Sequence, residues 1–393
     1  MQVLTIVCKL NPSSEQASKI DATLQGFADA CNYVNSETPA KLTNKTAIQA
    51  LVYQDIRERF SLSANLAVRV CARVAANRKT AKQKNKPVKA FKPTSADYDA
   101  RIFSMREKDW TASLNLIGGR ERIPMVLGNY QLGKLKGRKP MSAQLCQHRD
   151  GLYYLHIQVK DEPPEPIKHG KVIGVDFGRR DIAVTSEGQS WSGKDIQDKR
   201  DRFSQVRASL QRKASKGTRS TRRRCRQILQ RLSGRERRYQ SWLNHNISID
   251  IIRSALESKA LVAIEDLTGI RERTNALPRN KTERRRSNSW AFYQLRQFLE
   301  YKGIKYGVEV IAVNPRYSSQ ACSQCLHIHP ERGKSYRSGK SFKCGNCGFH
   351  VDADLNGSLM ISILGAAVKR LRGPWLSCGI TGGLPKASPF RAG

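Results

Sequence analysis

The sequence predicts a multidomain chain of mixed α+β and α/β class. An N-terminal β-barrel with an inserted helical lobe comes first, then an α/β domain interrupted by a small cysteine-ligated insertion. Three observations predict this. Short strand-like segments recur over residues 86–160, behind a run of helical periodicity at 15–79. Two later apolar segments each end in a carboxylate. Two C-x2-C pairs stand 18 residues apart.

Gln2-Val-Leu-Thr-Ile-Val-Cys-Lys-Leu10 is rich in β-branched and apolar residues and reads as a strand. Asn11-Pro-Ser-Ser-Glu15 has the composition of a helix start, with Pro and Ser ahead of an acid in the first turn. Ile20, Leu24, Phe27 and Cys31 then recur at helical spacing, and the last helix of this lobe is expected around Leu66–Arg78. Strands are expected at Val88–Phe91, Ile102–Met105, Thr111–Leu116, Arg122–Leu127 and Leu152–Val159. Asp161-Glu-Pro-Pro-Glu-Pro reads as a stiff linker. Residues 199–258 read as long helices, and the Gly/Pro-rich C-terminus, from 371 to 393, as a disordered tail.

The chain has 393 residues, with 70 Lys plus Arg against 33 Asp plus Glu, a formal net charge of +37. Such an excess repels itself unless a polyanion neutralises it, and each phosphate contact releases counterions. The charge is concentrated. Lys213, Lys216, Arg219, Arg222, Arg223 and Arg224 crowd one helical stretch, where only a thin apolar face remains. A solvated helix surface is the plainer reading, but like charges at this density oppose a helix, so phosphate contact is the expectation. No long apolar span is present, so no membrane partner is expected.

Ten cysteines could signal disulfides, but their distribution points elsewhere. Met1-Gln2-Val3-Leu4 runs straight into strand-like sequence, so no secretory leader is expected. Cys322-Ser-Gln-Cys325 and Cys344-Gly-Asn-Cys347 form C-x2-C-x18-C-x2-C, a zinc-ribbon spacing. Four thiolates would hold one tetrahedral Zn²⁺ with no open position, a structural site in a reducing cytosol. A redox dithiol pair is the alternative. His327 and His329 follow the first knuckle and are not needed as ligands.

Lys171-Val-Ile-Gly-Val-Asp176 is an apolar strand ending in an acid, and Asp181-Ile-Ala-Val-Thr follows as its hairpin partner. Leu261-Val-Ala-Ile-Glu265 is a second such strand, and Asp354 stands in or near the first turn of a helix. Sites in α/β sheets form at the carboxyl ends of strands. Any one of these acids alone is more often a turn or cap residue. Together, Asp176, Glu265 and Asp354 would oppose one another's ionisation unless cations joined them. Two Mg²⁺ ions, or Mn²⁺, about 4 Å apart would resolve that and support phosphodiester hydrolysis. Asp181, Asp266 and Asp352 are read as caps or supporting groups.

Gly174-Val-Asp-Phe-Gly, Ala263-Ile-Glu-Asp-Leu, Tyr317-Ser-Ser-Gln-Ala-Cys-Ser-Gln-Cys, Cys344-Gly-Asn-Cys-Gly-Phe and Asp354-Leu-Asn resemble the motifs of the TnpB family, over nearly the whole chain. These proteins are encoded by insertion sequences and are related to compact type V CRISPR effectors. The resemblance implies an RNA-guided endonuclease of the prokaryotic cytosol that cuts double-stranded DNA beside a short motif. Its guide RNA would come from its own element.

The implied layout has a wedge-type β-barrel (1–12 and 86–165) carrying a helical recognition lobe (13–85). An RNase H/RuvC-like nuclease domain (170–315 and 349–370) follows, interrupted by a zinc ribbon (316–348). Asp176, Glu265 and Asp354 carry over as the metal-binding catalytic triad, and Cys322, Cys325, Cys344 and Cys347 as zinc ligands. One departure is Gly357-Ser358, where the family commonly has alanines. A tyrosine transposase is the weaker alternative, because Leu326-His-Ile-His329 lies inside the cysteine region rather than on a central strand. An RNA-guided repressor that does not cut, or a CRISPR effector proper, are the others.

Overall fold

The computed structural model describes residues 2–168, 170–270, 291–331 and 333–371, together with 278, 280 and 284. Two compact units divide the chain, Met1–Glu162 and Pro163–Gly393. Residues 372–393, nearly all of the expected tail, lie outside the described residues.

The first unit opens with β1 (Gln2–Leu10) and three helices, α1 (Ser14–Glu37), α2 (Lys45–Phe60) and α3 (Ala64–Gln83). Then come β2 (Ser95–Asp99), β3 (Phe103–Arg106), β4 (Thr111–Leu116), β5 (Gly119–Val126), α4 (Asn129–Leu135), β6 (Pro140–Gln147) and β7 (Tyr153–Asp161). The seven strands form one antiparallel sheet, order β2-β6-β7-β1-β5-β4-β3, curled into a nearly closed barrel.

Helix α1 starts at a capping box. The Ser13 hydroxyl accepts from the Gln16 N–H, and the Gln16 side chain accepts from the Ser13 N–H. At its other end the buried Arg78 guanidinium donates to the carbonyls of Asn35, Thr38, Pro39 and Leu42, satisfying groups that would otherwise be stranded. Ile6 and Cys8 of the sheet share one core with Leu24 and Phe27 of α1 and Val70 and Val74 of α3.

The strand expected at Val88–Phe91 is absent. This stretch is pinned to α1 instead: Asn32 donates to the Phe91 carbonyl and accepts from its N–H. The backbone groups of Phe91 therefore need no sheet partner. Strand β6 was not anticipated, and the expected linker loses Asp161 to β7.

The second unit is built on a five-stranded mixed sheet with helices on both faces. Its elements begin with β8 (Lys171–Asp176), β9 (Asp181–Thr185), β10 (Ser190–Ser192), α5 (Lys194–Lys216), α6 (Arg219–Leu232), α7 (Arg235–Glu257) and β11 (Ala260–Glu265). After these come α8 (Phe292–Tyr306), β12 (Val310–Val313), β13 (Arg337–Ser338), β14 (Ser341–Lys343), β15 (His350–Asp352) and α9 (Ala353–Leu371). Sheet order is β10-β9-β8-β11-β12. Strands β8, β11 and β12 run parallel, and β9 and β10 pair antiparallel beyond them. Every residue of β11 is buried, as a central strand covered on both faces requires. Val262 and Ile264 face α7 and α8, while Leu261 and Ala263 face α9. The expected long helices between 199 and 258 are three, broken at Gly217 and at Ser233-Gly234. Strands β13 to β15 form a separate small sheet, which continues the cysteine region as far as Asp352.

Candidate active site and metal centre

Strands β8 and β11 are parallel neighbours with Val175 opposite Ile264, so Asp176 and Glu265 emerge side by side at their carboxyl ends. Asp354 stands in the first turn of α9, where Asp352 accepts from the N–H groups of Asp354 and Leu355 as the cap. Glycines bring this helix close to the sheet. A Cβ on Gly174 would lie 2.0 Å from the Ser358 carbonyl oxygen, and one on Gly365 would lie 2.6 Å from the Ala263 Cβ. A Cβ on Gly357 would lie 3.0 Å from the Asp176 Oδ2, so Asp176 rests against α9 one turn beyond Asp354. Gly357 thus has a packing context that helix propensity alone did not suggest.

The electrostatics follow from this crowding. Burial, then the charges of Glu265 and Asp354, push the Asp176 carboxyl up to about 7, against the pull of Arg337 and Lys340. Burial also raises Glu265, and the Ser318 hydroxyl, donating to its Oε1 at 2.5 Å, offsets part of that rise. Burial pushes Asp354 up too, but the hydrogen bond from Lys340 and the charges of Arg337 and Lys340 outweigh it and hold its carboxyl below the usual range. Arg337 Nη2 donates to Asp354 Oδ1 at 2.7 Å and Lys340 Nζ to Oδ2 at 2.5 Å, and Lys340 also pairs with Asp181.

Asp181 is therefore an ion-pair partner of this cluster rather than a cap. Asp266 accepts from Thr268 and pairs with Arg296. Ser318, Arg337 and Lys340 were not singled out from the sequence. Ser318 lies in a quoted motif with no role attached. The two cations lie in the spacer between the cysteine pairs, where no periodic pattern marks them.

The four cysteine sulfurs lie within 4.8 Å of one another, and among the described residues theirs is the His/Cys/Asp/Glu group that closes on one point. Cys322 and Cys347 are 3.7 Å apart, and Cys325 and Cys344 3.6 Å. A tetrahedron with metal–sulfur bonds of about 2.3 Å has edges of about 3.8 Å, so the quartet fits a zinc ion. The two knuckles are built alike. The first closes with Leu326 N–H to Cys322 O and Cys322 N–H to His327 O, the second with Gly348 N–H to Cys344 O and Cys344 N–H to Phe349 O. Leu326 and Gly348, which follow the second cysteine in each, both have positive φ. A backbone hydrogen bond from His327 holds the Cys325 thiol down at about 6. The imidazole of His327 bonds to the Tyr336 hydroxyl and that of His329 accepts from the Glu331 N–H, so neither turns to the sulfurs.

Lys213 and Lys216 lie at the end of α5, and Arg219, Arg222, Arg223 and Arg224 open α6, capped by the Thr218 hydroxyl. All six are exposed, and among the described residues none has a carboxylate partner. Cations in the first turns of α6 meet the positive end of its dipole, an unfavourable position unless an external anion sits there.

The profile of the Cas12f1-like TNB domain matches residues 292–361, which span α8, the cysteine quartet and Asp354. The chain is 28% identical over 288 residues to a CRISPR-associated endodeoxyribonuclease Cas12f1 of Sulfoacidibacillus thermotolerans, covering 66% of this chain and 65% of that one. It is 34% identical over 153 residues to a TnpB-like protein of Methanocaldococcus jannaschii, covering 39% of this chain and 51% of that one. The chain thus spans between half and two thirds of the length of these relatives. In fold it resembles the mini-RNA-guided endonuclease CRISPR-Cas phi3, with a TM-score of 0.56 at 12% identity and 92% of each chain covered. No helix among the described residues is long and apolar enough to cross a membrane. In sequence the chain is similar to TnpB-like and Cas12f1 proteins, and in fold to a compact RNA-guided endonuclease.

Proposed function

We propose that the chain is an RNA-guided, metal-dependent DNA endonuclease with a RuvC-like site of Asp176, Glu265 and Asp354. One observation carries this reading: Asp176 and Glu265 end adjacent parallel strands, and Asp354 lies on a helix pressed onto them through glycines, near enough that the charges of Glu265 and Asp354 both raise Asp176. Their mutual repulsion leaves a place for cations, and hard oxygen donors suit Mg²⁺, with Mn²⁺ as a substitute. The chemistry supplied at such a site by a bound pair of ions is activation of water and stabilisation of the leaving oxygen of a phosphodiester.

The chain's own residues do the rest. Asp176 and Glu265 present carboxylates from rigid strand ends, and the Ser318 hydroxyl orients Glu265 and offsets part of the rise that burial imposes on it. Arg337 and Lys340 neutralise Asp354 and fix its two oxygens. Cys322, Cys325, Cys344 and Cys347 hold a structural zinc, which fixes the hairpin bearing those two cations.

The partners in this reading are a guide RNA and double-stranded target DNA. The names of the relatives, an endodeoxyribonuclease and an RNA-guided endonuclease, support it. The exposed cations from Lys213 to Arg224 grip phosphate. The barrel (1–12 and 86–165) and the helical lobe (13–85) read a short motif beside the target. Guide–target pairing supplies the remaining specificity. The guide comes from the RNA of the chain's own element.

Asp176→Ala tests the site. Protein co-expressed with RNA from the 3′ flank of its own gene should cut a matching plasmid in Mg²⁺, and the variant should retain the RNA without cutting. A variant that cuts at the wild-type rate overturns the assignment.

A further inference from the structure

We propose that one face of α7 is a base-stacking platform for unpaired nucleic acid, centred on Trp242 and Tyr239. The proposal rests on the nucleic-acid reading above and assigns it a surface that the catalytic acids do not use. Trp242 is 57% exposed. A tryptophan normally buries most of its large apolar surface, and Tyr239 does pack against the core of this unit while Trp242 stays outside it. The two rings lie three residues apart on one helix face and stack, with centroids 5.8 Å apart and planes 28° apart. One turn on, the exposed His245 stacks on Phe298 of α8 at 3.8 Å and 17°, a second pair of flat rings beside the first.

Charge frames this row. Lys199 of α5 places its ammonium 3.7 Å from the Tyr239 ring centroid. Arg238 stands one turn before Trp242, and among the described residues neither cation has a carboxylate partner. Exposed flat rings beside unpaired cations match the two faces of a single strand, its bases and its phosphates. A duplex hides the faces of its bases and offers only phosphate. RNA and DNA bases present the same faces, so the test carries an arm for each.

The experiment uses the full chain and fluorescein-labelled oligothymidylate and oligouridylate of about 15 nucleotides. A DNA duplex of matched charge is the third probe, and binding is read by anisotropy over a salt series. Trp242→Ala should weaken single-strand binding about fivefold to a hundredfold. Duplex binding should be unchanged, and so should the slope of log Kd against log salt, because a stacked ring releases no counterion. Trp242→Phe should retain most of the affinity, and an unchanged melting temperature would confirm the fold of both variants. The arm that weakens more identifies the strand. Single-strand binding that is absent in the wild type overturns the proposal, as does binding insensitive to Trp242→Ala or lost equally in the Phe variant. Guide-directed cleavage on the same preparations separates the claims. Loss of the stacking effect with cleavage intact refutes the platform alone. Absent cleavage with the stacking effect present refutes only the endonuclease reading.

Discussion

Asp176→Asn is the most informative single substitution, because it removes one charge from the acidic cluster and almost nothing else. In the folded chain burial and two neighbouring carboxylates raise Asp176 from 3.8 to about 7. That rise corresponds to about 4 kcal/mol. It is an upper bound, since the side chain keeps some contact with solvent. Because the folded value is the higher one, the protonated acid favours the fold at pH below about 4, and this contribution is lost as pH climbs through about 7.

In Mg²⁺-free buffer with zinc retained, the melting temperature of the wild-type second unit should therefore fall relative to Asp176→Asn between pH 4 and pH 8. At about 2–4 °C per kcal/mol for a unit of this size, the gap should open to as much as about 16 °C. Added Mg²⁺ should narrow it by stabilising the wild type through binding, and should do little for the variant. Differential scanning fluorimetry across pH, with and without Mg²⁺, reads both effects. A gap independent of pH, or Mg²⁺ stabilising both proteins equally, would refute the reasoning that these acids form a cation site.

Gly174→Ala would set a Cβ 2.0 Å from a backbone oxygen of α9, so strand and helix must separate. A loss of stability of about 3 kcal/mol or more is expected, read as a lower melting temperature, with cleavage falling in parallel. Cys344→Ser should abolish zinc binding, measured by metal analysis, lower the melting temperature, and reduce cutting by releasing the hairpin that carries Arg337 and Lys340. Lys340→Ala removes a cation that competes for Asp354 Oδ2, so half-maximal Mg²⁺-dependent protection should shift to lower Mg²⁺. A higher requirement would mean that Lys340 assists the cation, and an unchanged one that it does not compete for Asp354.

What the sequence disclosed, and what it did not, has a physical pattern. The placement of Asp176 and Glu265 at strand ends was legible because a buried strand is a continuous apolar run, and an acid ending it breaks that run visibly. The cysteine quartet was legible from spacing, because a knuckle is a local structure. Strand β6 was hidden because it opens on Pro140 and because Leu145 and Cys146 are buried side by side, which breaks the two-residue period. Val88–Phe91 misled in the opposite sense, since the Phe91 backbone bonds to the Asn32 side chain rather than to a neighbouring strand, while its ring packs on the core. Arg337, Lys340 and Ser318 were not marked because their roles arise from contacts with Asp354, Asp181 and Glu265, between 14 and 159 residues away in sequence. The close seating of α9 on β8 was equally invisible. Gly174, Gly357 and Gly365 register only as poor helix or strand formers until the opposing backbone is seen.

The most direct test of the central claim is cleavage of a plasmid library. The protein, co-expressed with RNA from its own 3′ flank and reprogrammed to a chosen target, is given that target beside a randomised flank, in Mg²⁺ and in EDTA. Cutting that follows the guide, requires Mg²⁺, selects one short flanking motif and disappears in Asp176→Ala is the expected result. Tight guide and target binding with no cutting in Mg²⁺ or Mn²⁺ would contradict the endonuclease account and leave a guided DNA-binding protein in its place.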